Sequence, residues 1–123
     1  MTSWKVLITD GLPEKGQAIL RSACQVDDRN DIPADELLKV IAEYDALIVR
    51  SRTKVTPEVF EAGKKLKVVG RAGVGVDNIN LAAAAAHGVT VVNAPKSTSV
   101  AVAELALGLM LALARSVSTA DSS

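Results

Sequence analysis

Aromatic side chains are almost missing: Trp4, Tyr44 and Phe60 are the only ones in 123 residues. Proteins that grip single-stranded nucleic acid stack bases on several aromatics beside a basic groove. Here the formal net charge is also zero, so nucleic acid is not an expected partner. Cysteine is reduced to Cys24, which excludes an internal disulfide and points to a reducing cytoplasm. With His87 as the sole histidine, Cys24 reads as a small core or near-core residue rather than an activated nucleophile, and no metal-ligand set is expected. The only long apolar run, residues 100–114, is shorter than the roughly 20 residues a bilayer needs and contains Glu104. Membrane attachment is therefore not expected, nor is a cleavable leader.

What is present is aliphatic. Hydrophobic residues make up 49% of the chain, and with so few rings they are Val, Ile, Leu and Ala, the usual filling of sheets covered by helices. The length is that of one domain with one core. Charge balances in total but not along the chain. Acids outnumber bases nine to five over residues 1–49, and bases outnumber acids seven to two over residues 50–71. Lys64, Lys65 and Lys67 read as a solvated helix face. Arg50, Arg52, Lys54 and Arg71 differ, because they fall where apolar runs end.

Short β-branched runs alternate with helix-like stretches five times, the pattern of repeated βα units and a parallel sheet. Strands are expected at KVLIT (5–9), CQVDD (24–28), DALIVR (45–50), KVVG (67–70) and VTVVN (89–93). Pro13 suits the first turn of a helix that would turn Ala18, Ile19 and Ala23 to one side. The second helix is expected within IPADELLKVIAEY, capped by Asp31, with Leu37, Leu38 and Ile41 on one face. Thr56 and Pro57 are the cap and first residue of a third helix, reaching toward Leu66. The fourth is alanine-rich, with His87 in its last turn and Gly88 as a left-handed stop. In the last element Leu105, Leu107, Leu109, Leu111 and Leu113 fall at every second position, which would suit a strand, but length and Ala/Leu content favour a helix. A helix distributes those leucines around its circumference and needs cover on most sides, so it is expected to pack against a second domain or subunit.

The stretch KVVGRAGVGVDNIN (67–80) puts three glycines into six residues directly after an apolar run. A dinucleotide fingerprint needs G-x-G-x-x-G and an acid about 20 residues on. Counting from Gly73 gives Gly75 and then Asn78, and the next acid after Asp77 is Glu104, so that reading fails. No Gly-Lys-Ser/Thr occurs, which removes the Walker loop. What survives is a loop whose backbone amides at Gly73, Val74 and Gly75 can converge on an anion. In an open parallel sheet, ligands bind outside the carboxyl ends of the strands. Arg50, Ser51 and Lys54 leave the third strand at that end, and Arg71 leaves the fourth. A phosphorylatable receiver would need an acceptor Asp where this chain has Arg50, and a flavin carrier would need a hydroxyl-rich first loop where this chain has TDGLPEKG.

Three segments, LIVRSRTKVTPEV, LKVVGRAGVGVDNINLAAAAAHGVTVVNAP and SVAVAELALGLMLALAR, resemble the N-terminal part of D-isomer-specific 2-hydroxyacid dehydrogenases, over essentially the whole chain. The resemblance implies a flavodoxin-like α/β fold: an open parallel five-stranded sheet of order 2-1-3-4-5 flanked by helices, with a long apolar C-terminal helix. It implies a substrate-binding or lid domain over 1–97, and over 98–123 a crossover and dimerisation helix leading to an NAD domain outside these residues. Arg50 and Ser51 would hold the phosphate or carboxylate end of a small 2-hydroxy or 2-oxo acid. Gly73, Val74 and Gly75 would offer amides to its carboxylate, Lys54 and Arg71 would add positive potential, and Thr98 could donate a hydrogen bond. Val74 and Val102 would approach the nicotinamide of NAD. Asn93 and Pro95 match the family's N-x-P turn, whereas Thr98 and Ala101 stand where the family often has Asn and Ser. The Arg, Glu and His that do the family's chemistry have no counterparts here, so no catalytic residue is expected in these 123 residues, and the chain is expected to be a truncated, inactive portion of a homodimeric enzyme.

Overall fold

A computed structural model describes residues 4–50, 52–72, 77–94 and 99–122. The elements alternate as expected: β1 (Trp4–Ile8), α1 (Glu14–Arg21), β2 (Cys24–Asp28), α2 (Ala34–Val40), β3 (Ala46–Val49), α3 (Pro57–Ala62), β4 (Val68–Ala72), α4 (Leu81–Ala86), β5 (Thr90–Ala94) and α5 (Ser99–Ser122). The strands form one parallel sheet of order β2-β1-β3-β4-β5.

Both faces of this sheet are covered, which is why its central strands read as unbroken apolar runs. Side chains alternate between faces with period two. Leu7, Leu47, Val49 and Val69 join α2, α3 and α4 in one core; Val6, Ile8, Ala46, Ile48 and Val68 join Leu20 of α1 and Val102, Ala103, Ala106 and Met110 of α5 in the other. Each fully buried Val, Leu or Ile contributes about 1.5–3 kcal/mol over an exposed one. Gly70 permits the second core to close: a Cβ there would lie 2.9 Å from Ile48 Cδ1 and 3.3 Å from Val102 Cγ2. Gly88, at φ +70°, ends α4 as expected.

Several local expectations are corrected. Asp31 does not cap α2; it sits at φ 66°, whereas a cap needs extended backbone, and Pro33 takes that position without a side-chain bond. The second helix stops at Val40 and tightens into a 3-10 turn, Ile41–Glu43. Of its expected inner face, Leu37 and Ile41 are buried while Leu38 is exposed. In α1 the buried side is Gly16, Gln17 and Leu20 and not Ala18, Ile19 and Ala23. Gln17 can be buried because its amide donates to Leu12 O (2.7 Å) and Asp28 Oδ2 (3.0 Å). α3 ends at Ala62, since Leu66 turns back into the core.

Candidate functional site

The carboxyl ends of β1, β3 and β4 lie side by side. Ile8 pairs with Ile48, and Val49 pairs with Arg71, so Asp10, Arg50 and Arg71 emerge at neighbouring tips. Asp10 Oδ2 accepts the backbone N–H of Arg50 (2.8 Å) and of Thr53 (2.9 Å). Its Oδ1 accepts the Thr53 hydroxyl and lies 3.1 Å from Arg52 Nε. The Thr53 hydroxyl also meets that of Thr9 at 2.9 Å; having one proton, which it gives to Asp10, it accepts from Thr9. Burial alone would raise the Asp10 pKa, but the Thr53 hydroxyl, the Thr53 and Arg50 amides and the Arg52 charge together hold it below its ordinary value.

The carbonyls of the same loop are held from the other side. Asn78 Nδ2 donates to Arg50 O (2.7 Å) and Thr53 O (2.5 Å), and Arg71 Nε donates to Arg50 O at 3.3 Å. A bridge between Val55 and Ile79, with Val55 N–H to Asn78 O (2.8 Å) and Asn80 N–H to Val55 O (3.0 Å), ties the two segments further.

Two of the four cations singled out in the sequence thus come together, Arg50 and Arg71. The Arg50 side chain is exposed and its guanidinium has no ion pair among the described residues. Arg52 turns inward instead, to Asp10, Thr9 O (2.9 Å) and Ile32 O (3.4 Å). Lys54 is exposed on the α2 and α3 side, where with Ile32, Leu37 and Val59 it lines a hollow of about 370 Å³ that neither Arg50 nor Arg71 borders. Val102 is wholly buried beneath Gly70. Ser51, Gly73, Val74, Gly75, Pro95 and Thr98 lie outside the described residues.

The cluster can bind and orient an anion, but it holds no proton shuttle among the described residues: Asp10 is saturated by donors. His87 closes α4 before the amino end of β5, its ring stacked on Phe60 with centroids 6.4 Å apart. Cys24 is half-buried, and desolvation with the nearby Asp45 charge pushes its pKa up, which disfavours a thiolate.

Against known families, the description "D-isomer specific 2-hydroxyacid dehydrogenase, catalytic domain" matches residues 6–122. The chain belongs to this family. It is 53% identical over 120 residues to D-3-phosphoglycerate dehydrogenase 2, chloroplastic, of Arabidopsis thaliana, covering 97% of this chain and 19% of that protein. It is 42% identical over 121 residues to the hydroxypyruvate reductase of Thermotoga maritima, covering 98% and 40%. Among solved structures, it is similar to NAD+-bound 3-phosphoglycerate dehydrogenase of Entamoeba histolytica, with TM-score 0.64, 27% identity and coverage of 75% of this chain and 33% of that one. The chain spans about a fifth of the curated phosphoglycerate dehydrogenases it matches first.

For a member of this family, the described part of the R-A-G-x-G-x-D-N signature is Arg71, Ala72, Asp77 and Asn78. Both Arg71 and Asn78 reach back to the Arg50 carbonyl, so two motifs far apart in sequence meet at one main-chain oxygen. Asp10, Thr53 and Asn78 were not among the expected site residues. The available signal was an acid two residues past β1, in a strand order that makes β1 the neighbour of β3.

Proposed function

We propose that this chain is the substrate-binding portion of an NAD-dependent D-3-phosphoglycerate dehydrogenase, an oxidoreductase that moves a hydride between C2 of 3-phosphoglycerate and nicotinamide on the way to serine. The observation that carries this reading is the exposed Arg50 guanidinium, without an ion pair among the described residues, on a main chain fixed from two sides. A guanidinium fork suits a phosphate or carboxylate.

Arg50 with Ser51 takes the phosphate end, the amides of Gly73, Val74 and Gly75 take the carboxylate, Arg71 and Lys54 add positive potential, and Thr98 donates to the acid. Val74 approaches the nicotinamide. A similar role for Val102 would require α5 to move off Gly70. These residues do not fit a dinucleotide themselves: the first βα turn, where a pyrophosphate would rest, carries the Asp10 carboxylate, and the glycine loop lacks its third glycine. The NAD domain is therefore assigned to sequence outside these 123 residues, and no turnover is expected from them alone. Residues 1–97 are the substrate domain, and 98–123 are the apolar crossover helix, whose exposed Leu105 and Leu111 support pairing in a homodimer. A cytoplasmic enzyme is the expected setting.

The Thermotoga relative favours a second reading, a hydroxypyruvate or glyoxylate reductase, with Arg50 binding a smaller acid. Calorimetric titration separates the two. The first predicts that 3-phosphoglycerate binds more tightly than glyoxylate or hydroxypyruvate and that Arg50→Ala removes the difference. Equal affinities, or no effect of Arg50→Ala, would count against it.

A further inference from the structure

We propose that Asp10 and Asn78 are the positioning residues of this site, holding both N–H groups and both carbonyls of Arg50 and Thr53 and so fixing the direction in which Arg50 leaves the sheet. The inference rests on the reading that Arg50 binds the acid, and it adds two residues from other strand ends.

The two side chains are chemically complementary. A carboxylate only accepts, and Asp10 meets the two N–H donors; an amide nitrogen only donates, and Asn78 Nδ2 meets the two carbonyls. That pairing also fixes which way round the Asn78 amide lies, since its oxygen could not face two carbonyls. Thr9, Thr53 and Arg52 steady Asp10 in turn. A turn built without such partners would sample many conformations, and each would carry the guanidinium elsewhere. Ordering it in advance lowers what anion binding must supply. Because Asn78 belongs to the segment that follows β4, the β3 and β4 tips keep one mutual geometry.

The test uses isosteric reversals, Asp10→Asn and Asn78→Asp, in this 123-residue chain, with Arg50→Ala as reference. Neither change alters the shape: Asn78→Asp sets carboxylate oxygens against the two carbonyls, and Asp10→Asn, whose one oxygen still accepts, removes the charge and turns an NH2 toward Arg52 Nε. Three readings are taken: affinity for 3-phosphoglycerate and for inorganic phosphate, the ¹⁵N resonance of Arg50 Nε, and hydrogen exchange of the Arg50 and Thr53 amides. The expected result is about a tenfold loss of 3-phosphoglycerate affinity, a smaller loss for inorganic phosphate, an averaged Arg50 Nε line, and exchange at those two amides that speeds up more than the general change at the strand amides. A purely structural role would weaken both ligands alike and speed exchange at the strand amides as much as at Arg50 and Thr53. Unreversed affinity in both variants would overturn the inference and leave the function of Arg50 standing. If neither the unmodified chain nor Arg50→Ala binds 3-phosphoglycerate, the functional reading fails by itself. The exchange and Nε data then decide the clamp: faster exchange at Arg50 and Thr53 upholds it, and unchanged exchange ends it.

Discussion

Arg71 sits directly across the sheet register from Val49, and its Nε reaches the carbonyl of Arg50 at 3.3 Å. The pairing of β3 with β4 brings two like-charged side chains to adjacent strand tips, and Arg71 also donates to the main chain there. The arrangement concentrates positive potential where a parallel sheet opens, and the region 50–71 supplies it from a segment rich in bases.

The close approach of α5 to the sheet depends on Gly70. Gly70→Ala puts a methyl within 2.9 Å of Ile48 Cδ1; that atom ends a side chain already packed in the core, so it cannot move freely. The expected loss is about 1–3 kcal/mol, read as a lower urea midpoint with unchanged slope. A midpoint equal to that of the parent chain would show that Ile48 and Val102 do not crowd Gly70 as described.

Alkaline pH should weaken the fold through Tyr44. Burial pushes its phenol up to about 12, aided by its 2.6 Å hydrogen bond to Asp27. The folded state holds the phenolic proton more tightly than the unfolded state. That stabilisation is complete below pH 10, the ordinary value, and is lost as pH rises toward about 12. Tyr44→Phe should flatten this limb of a stability-versus-pH curve, and an unaltered limb would contradict the assignment.

Acid should act through Asp10 with the opposite sign. Its folded pKa lies below the ordinary 3.8, so its contribution is present above that pH and disappears as pH falls through the lowered value. Asp10→Asn should be less stable than the parent near neutrality and should converge with it in strong acid. Parallel curves down to the lowest pH would remove Asp10 from the account.

Much of the fold was legible in the sequence because its causes are local. Pro57 starts α3, Gly88 stops α4, and the β-branched runs mark all five strands. Errors arose where tertiary partners decide. Leu38 follows Leu37 about 100° round the helix and is exposed where Leu37 is buried, and Gln17 displaces Ala18 from the interior because Leu12 and Asp28 satisfy its amide. Arg50 and Arg71 were readable from their places after apolar runs. Asp10 and Asn78 were not, since each gains its meaning only from the main chain of a loop about 30 or 40 residues away in sequence.

The outer side of α5 offers a further check. Leu105 and Leu111 are about half exposed, at 49% and 58%. The double change Leu105→Glu with Leu111→Glu should alter stability by no more than about 0.5 kcal/mol per site, while sedimentation shifts from dimer to monomer. A parent chain that remains monomeric at high concentration would remove the pairing proposed for this helix.

The most direct measurement is the map of amide shifts as 3-phosphoglycerate is added to the ¹⁵N-labelled chain. The account predicts that the largest changes fall on Arg50, Thr53, Arg71 and Asn78. Changes gathered instead around Ile32, Leu37 and Val59, or around Phe60 and His87, would contradict it.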